Sequence, residues 1–275
     1  MKDTEKLNKN SIGISKFPMN QIVRTIIDES THALTGVSSA TNDICKIIPV
    51  ILNKMKAGGR VIYIGAGTSG RIAAQDVVEL FPTYGMGAEF FHYVICGGKK
   101  ALYRSVEGAE DNKKQAIIDI KRKKLCENDV LIGISASGET PYVLSAIGYA
   151  NKINSSTIGI TNNSDSSLIK ISNHSILLKT GAEVIQGSTR MNAGTAQKIT
   201  LNTISTTIAI LFNRTFDNIM DHMKSNFNEK LRNMALTIIM TLFKIDRKEA
   251  TSLLVKYDYN IEKVITFLNK NKQDQ

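Results

Sequence analysis

Cysteine is scarce: Cys45, Cys96 and Cys126 are the only three in 275 residues, far apart and in no metal-ligand spacing. That excludes a disulfide framework and a cysteine zinc site, and the three are expected to be reduced intracellular thiols serving as small core residues. The four histidines, His32, His92, His174 and His222, are dispersed. Each reads as a surface or satisfied core residue rather than a catalyst, and no metal site is expected. No run approaches the roughly 20 apolar residues of a membrane span. The opening Met1-Lys2-Asp3-Thr4-Glu5-Lys6 is polar and lacks the apolar stretch of a secretion signal, so a cytoplasmic protein is expected. There is no internal repeat, no low-complexity linker and no G-x-x-x-x-G-K-[ST], so a P-loop nucleotide site is not supported.

Charge of one sign is in surplus. The formal net charge is +10 and the sequence pI is near 9.4. Alone this would admit nucleic acid. The basic residues are scattered, however. The one dense run, Lys121-Arg122-Lys123-Lys124, has no aromatic interleaving and reads as a solvated helix end. Nucleic acid is therefore not expected as a partner, while the surplus favours an anionic small substrate by steering. With 42% apolar residues the chain can build a sizeable core.

What the chain does have is a matched pair of loops. Ile64 to Arg71 reads IGAGTSGR and Gly133 to Pro141 reads GISASGETP, each directly after a short apolar run. Val61-Ile62-Tyr63-Ile64 and Val130-Leu131-Ile132-Gly133-Ile134 read as buried strands. Small residues then allow close backbone approach, and a helix follows whose free N–H groups suit an anion. Two such loops at adjacent strand ends can hold one phosphate with neutral donors. Gly67 offers close approach, and Thr68, Ser69, Ser135, Ser137 and Thr140 supply hydroxyls. Gly65-Ala-Gly67-Thr-Ser-Gly70 also fits the dinucleotide pattern G-x-G-x-x-G, with Glu89 near the spacing of the ribose carboxylate. That reading leaves the second loop and the hydroxyl density unexplained.

Along the chain, residues 1–18 read as a mobile or loosely attached lead. Met19 to Lys56 is helical in two pieces, with apolar faces marked by Ile22, Ile26 and Ile27 and by Ile44, Ile47, Ile48, Ile51, Leu52 and Met55, stopped at Ala57-Gly58-Gly59. Strands are expected near 61–64, 89–95, 130–134, 157–161 and 174–178, with helices near 70–79, 111–124 and 141–151 between them. This alternation predicts an α/β fold with a parallel sheet covered on both faces and a site at the carboxyl ends of the strands. A long helix is expected from Gly194 to about Asn213, another from Phe216 to about Phe243, and two short ones from Asp246 to about Asn269. The expected divisions are a helical lead over 1–57, a central domain over 58–213 and a C-terminal helical region over 214–275.

Two acidic stretches accompany the loops: Asp76-Val-Val-Glu79-Leu-Phe-Pro82-Thr83-Tyr84-Gly85 and Val106-Glu107-Gly108-Ala109-Glu110-Asp111. By spacing alone these are solvated carboxylates, or the favourable first turn of a helix. Four stretches, GGRVIYIGAGTSGR, SVEGAED, GISASGETPYV and VIQGSTRMNAGTAQK, resemble the motifs of the N-acetylmuramic acid 6-phosphate etherases, members of the sugar isomerase (SIS) superfamily of phosphosugar-binding proteins. The likeness is dense from about Gly58 to Ser205, and its last motif, Gly187 to Lys198, is the most specific. It implies a SIS-type parallel sheet sandwiched by helices, with a helical N-terminal lead and a small C-terminal helical bundle. It implies a lyase that cleaves the D-lactyl ether at C3 of the open-chain sugar phosphate, giving N-acetylglucosamine 6-phosphate and D-lactate without metal or organic cofactor. The residues matching the family's catalytic positions are Glu79, the acid that protonates departing lactate, and Glu110, the C2 base, with Glu107 as its rival. Ser188 and Arg190 are implied substrate contacts, with a helix cap and a structural ion pair as their plainer roles.

A helix starting at Gly70 would carry Glu79 about 14 Å from its first residue, at 1.5 Å per residue. Either that helix breaks early or Glu79 serves a neighbouring subunit, and a homodimer with sites at its interface is expected. Two departures from the family pattern stand out: Phe81 before Pro82-Thr83, where the family has proline, and Glu139 in the second loop, where it has arginine. A Glu139 side chain turned inward would weaken phosphate binding. The competing readings are an aldose–ketose phosphosugar isomerase and a non-catalytic phosphosugar sensor.

Overall fold

Val61, Ile62, Tyr63 and Ile64 follow one another without a polar residue, and all are fully buried. A strand that alternates its side chains between two faces reads this way only when both faces are covered. The computed structural model, which describes residues 2–273, places this segment (β1, Val61–Gly65) inside a five-stranded parallel sheet. The other strands are β2 (Phe91–Ile95), β3 (Val130–Ile134), β4 (Ser156–Thr161) and β5 (His174–Leu177), and the spatial order is β2-β1-β3-β4-β5. β1 and β3 pair in register from Val61↔Val130 to Gly65↔Ile134, so both end at the same height. The connection after β1 runs outward one way and the connection after β3 the other. This is the switch point of an open parallel sheet, where a crevice forms beyond the strand ends.

The helices are α1 (Met19–Glu29), α2 (Thr31–Ser39), α3 (Thr41–Lys56), α4 (Gly67–Tyr84), α5 (Lys113–Arg122), α6 (Pro141–Lys152), α7 (Ser167–Ile171), α8 (Asn192–Leu211), α9 (Glu229–Phe243), α10 (Arg247–Lys256) and α11 (Ile261–Gln273). The chain forms two compact units. One comprises the residues up to Asp76 with Phe90–Ser205; the other comprises Val77–Glu89 with the residues from Thr206 onward. In the first unit, Ile62, Ile64 and Leu131 pack against Ala116 and Ile120 of α5 and Tyr142, Val143, Ala146, Ile147 and Ala150 of α6. Each fully buried valine, leucine or isoleucine among them stabilises by about 1.5–3 kcal/mol. The second unit has its own core, built from Met223, Ala235, Ile239, Ala250, Leu254, Ile261, Val264 and Ile265. Among the described residues, no helix is long and apolar enough to cross a membrane.

Five details differ from the sequence expectation. Of the three cysteines expected in the core, Cys96 is buried while Cys45 and Cys126 are exposed. The lead is anchored, not loose: Thr4 is buried and donates its N–H to Asn163 Oδ1 at 3.2 Å, and Ser11 Oγ donates to the Val184 carbonyl at 2.7 Å. Its polar composition suggests a solvated strand of chain, yet those same polar groups find fixed partners. Met19 to Lys56 is three helices, interrupted at Ser30 and Ala40. α4 begins at Gly67 and runs unbroken past Glu79. The segment before α9 is not helical: Asn213 and Asp217 take left-handed φ values of 56° and 52°, and the Asn228 side chain caps α9 by accepting the Leu231 N–H.

Candidate active site

The loop after β1 turns into α4 within two residues. This tight entry needs glycine at both ends: a Cβ on Gly65 would lie 2.8 Å from the Gly70 nitrogen, and one on Gly70 would lie 2.7 Å from the Gly65 carbonyl oxygen. Two bare backbones therefore pass where side chains would clash, and the N-terminal N–H groups of α4 open toward the strand ends. The loop after β3 is folded by its own hydroxyls. Ser135 Oγ accepts the Gly138 N–H at 3.0 Å and meets Thr140 Oγ1 at 2.8 Å and Ser137 Oγ at 3.3 Å. Gly138 has φ +67°, and a Cβ there would sit 2.4 Å from Ser166 Cβ, so the turn admits no side chain.

The two loops line one cavity of about 310 Å³. Of the residues singled out from the sequence, Gly67, Thr68, Ser69, Ser135, Ser137, Thr140 and Glu110 border it. A smaller adjoining cavity of about 200 Å³ shares Ala66, Gly67 and Glu110 and adds Arg71, Glu107 and Cys96. Glu110 therefore faces both spaces. Glu107 faces only the smaller one, and its carboxylate is engaged by the Ser105 hydroxyl at 2.6 Å. Burial, then the nearby Glu110, Asp119 and Asp111, push the Cys96 thiol up to about 12, so it is a neutral wall group and not a nucleophile. Arg71 donates to the Arg104 carbonyl at 3.3 Å on the rim.

Ser188 and Arg190 do not line the cavity; their neighbours Gly187 and Thr189 do. Arg190 and Lys198 are exposed. The cap of α8 is not a serine or threonine hydroxyl but the buried Glu183 carboxylate, which accepts the N–H groups of Asn192 and Ala193, both at 2.9 Å. Burial pushes the Glu183 carboxyl up, and those two N–H groups offset part of the rise. Glu79 is exposed on α4, twelve residues after Gly67, and borders neither cavity.

Glu139 does not border the larger cavity. Its oxygens accept from Ser167 N at 2.9 Å and Ser167 Oγ at 2.6 Å, with Lys2 Nζ at 3.6 Å. Its carboxyl lies below its ordinary value because these bonds outweigh the opposing burial. The sequence reading missed Thr4 and Glu5, which border the larger cavity, because the lead reads as unattached chain. It also missed Asn162, which no motif marks, and the tie from Ser69 Oγ to Gln197 Oε1 at 2.8 Å. Among the described residues no cluster of three or more His, Cys, Asp or Glu is arranged to hold a metal ion.

A parallel sheet of this order, with hydroxyl-rich turns at its switch point, fits a SIS-domain protein. The SIS domain model matches residues 115–206, and the model of the glucokinase regulatory protein N-terminal SIS domain matches residues 43–151. Phosphoheptose isomerases from Francisella tularensis (TM-score 0.54, 18% identity, covering 70% of this chain and all of that one) and Neisseria gonorrhoeae (TM-score 0.51, 17% identity, 70% and 98%) share the fold. The sequence is more specific than the fold. It is 40% identical over 273 residues to the N-acetylmuramic acid 6-phosphate etherase of Clostridium beijerinckii, covering 99% of this chain and 90% of that one. To the etherase of Mycoplasma mycoides subsp. mycoides it is 41% identical over 240 residues, 87% and 79% of the two chains. The chain belongs to the N-acetylmuramic acid 6-phosphate etherase family.

Proposed function

We propose that this protein is a carbon–oxygen lyase that cleaves the D-lactyl ether of N-acetylmuramic acid 6-phosphate to N-acetylglucosamine 6-phosphate and D-lactate, in the breakdown of cell-wall amino sugars. The observation that carries the reading is the placement of Glu110 on the same cavity as both hydroxyl-rich loops, in a chain about 40% identical to named etherases. The phosphate is held by neutral donors: the N–H groups at the start of α4 and the hydroxyls of Thr68, Ser135, Ser137 and Thr140. Ser69 shapes the same wall, and Ser188 and Arg190, which flank the cavity-lining Gly187 and Thr189, are the further candidates for the sugar or its lactyl carboxylate.

Glu110 takes the C2 proton of the open-chain sugar, acidified by the C1 aldehyde. The electron pair forms the C2–C3 double bond as the C3–O bond breaks, and a second carboxyl protonates the departing lactate oxygen. Water then adds at C3 and a proton returns to C2. The reaction asks for one group that accepts a proton and one that donates it.

Glu79 is the acid and comes from the neighbouring subunit of a homodimer. The support is the unbroken α4, which sets Glu79 about 18 Å along the helix axis from Gly67 at 1.5 Å per residue, and its exposure in the single chain. Mixing Glu79→Ala and Glu110→Ala chains tests this: activity returns on mixing if sites are shared, and stays absent if each subunit is self-contained. The protein acts in the cytoplasm, in keeping with its three unpaired cysteines, and nucleic acid is not among its partners. D-lactate release from N-acetylmuramic acid 6-phosphate tests the activity itself. A phosphosugar sensor would bind the ligand and release nothing.

A further inference from the structure

The hydroxyl of Ser69 is committed to one direction by a chain of buried amides. Leu178 offers a backbone carbonyl, which can only accept. Asn162 Nδ2 donates to it at 3.2 Å and to Thr180 Oγ1 at 3.2 Å. The amide of Asn162 is thereby oriented, and its Oδ1 accepts from Gln197 Nε2 at 3.0 Å. The amide of Gln197 is oriented in turn, and its Oε1 accepts from Ser69 Oγ at 2.8 Å. Reversing either amide would set two acceptors or two donors face to face. Asn162 and Gln197 are each 1% exposed, so water cannot relieve such a mismatch. The Ser69 hydroxyl has one proton, and Gln197 holds it. What Ser69 presents to the cavity is lone pairs.

A phosphate dianion carries no proton to give to those lone pairs, whereas a sugar hydroxyl does. The second loop is built the opposite way. Ser135, Ser137 and Thr140 bond to one another, so no acceptor-only group fixes them. Their hydroxyls can rotate together and turn protons toward an incoming anion.

We propose that the Ser69 hydroxyl accepts a hydrogen bond from a hydroxyl of the sugar and donates none to its phosphate, and that Gln197, held by Asn162, is the positioning residue that enforces this choice. The proposal rests on the phosphosugar reading of the site but not on the etherase reaction.

Titration calorimetry with two probes, inorganic phosphate and N-acetylglucosamine 6-phosphate, tests it on the wild type, Ser69→Ala, Gln197→Leu and the double variant. Ser69→Ala is expected to keep phosphate affinity within about twofold and to lose roughly tenfold for the phosphosugar, the scale of one hydrogen bond. Gln197→Leu frees the serine proton. Phosphate binding then tightens severalfold, and the gain disappears in the double variant, which a merely structural role for Gln197 would not produce. A tenfold loss of phosphate affinity in Ser69→Ala overturns the proposal, and so does an unchanged phosphosugar affinity. If Gln197→Leu does not fold, Ser69→Ala decides alone. A wild type that binds both probes as expected but releases no D-lactate contradicts the etherase and leaves this inference standing.

Discussion

The loops after β1 and β3 look alike in sequence and are built on different principles. In the first, a side chain on Gly65 or Gly70 would clash with the backbone of the other, and the serine hydroxyl is tied to Gln197. In the second, three hydroxyls bond mainly to one another and to N–H groups of their own turn. The first is a fixed surface with its polarity set by the core. The second is a ring of hydroxyls in which either member of each pair can donate. Hydroxyl count therefore says little about anion binding until each proton has been traced to its acceptor.

The largest test of this comparison removes the group between the loops. Glu110→Ala is expected to lower D-lactate release by about a thousandfold, within the range of general acid–base groups, while leaving phosphate affinity within about twofold. A smaller effect should follow from Ser135→Ala, which removes the centre of the donor ring. Phosphate affinity falls roughly tenfold, measured by calorimetry, and phosphosugar affinity falls in step. Smallest is Glu139→Gln. Since Glu139 bonds to Ser167 and Lys2, phosphate affinity should change by less than about twofold. The wild type should melt slightly higher than Glu139→Gln at neutral pH. The carboxyl of folded Glu139 lies below the ordinary 4.5, so its contribution is present above the unfolded value. It is lost as pH falls through the folded one. The gap between the two melting curves is then expected to close in acid, and a gap that widens in acid contradicts the assignment.

The sheet was legible because buried parallel strands are continuous apolar runs, as in Val61-Ile62-Tyr63-Ile64 and Val130-Leu131-Ile132. Both loops were legible because glycine and hydroxyl residues follow those strands directly. The helix expected from Phe216 to about Phe243 starts only at Glu229. Apolar spacing continues through that segment, while Asn213 and Asp217 adopt left-handed backbone that period alone does not reveal. The lead was misread for the opposite reason, since polar Thr4, Asn8 and Ser11 are fixed by partners as distant in sequence as Asn163 and Val184. Glu183, Asn162 and Gln197 carry no motif of their own. Their importance exists only once the fold has brought β4, α8 and the loops together, and no local pattern encodes such long-range polar ties.

The most direct measurement is D-lactate release from N-acetylmuramic acid 6-phosphate by wild type and Glu110→Ala, each shown to bind inorganic phosphate. Release by the wild type and its loss in Glu110→Ala, at matched phosphate affinity, is the result expected. Equal release by both chains would remove Glu110 from the chemistry, and no release by a phosphate-binding wild type would contradict the etherase altogether.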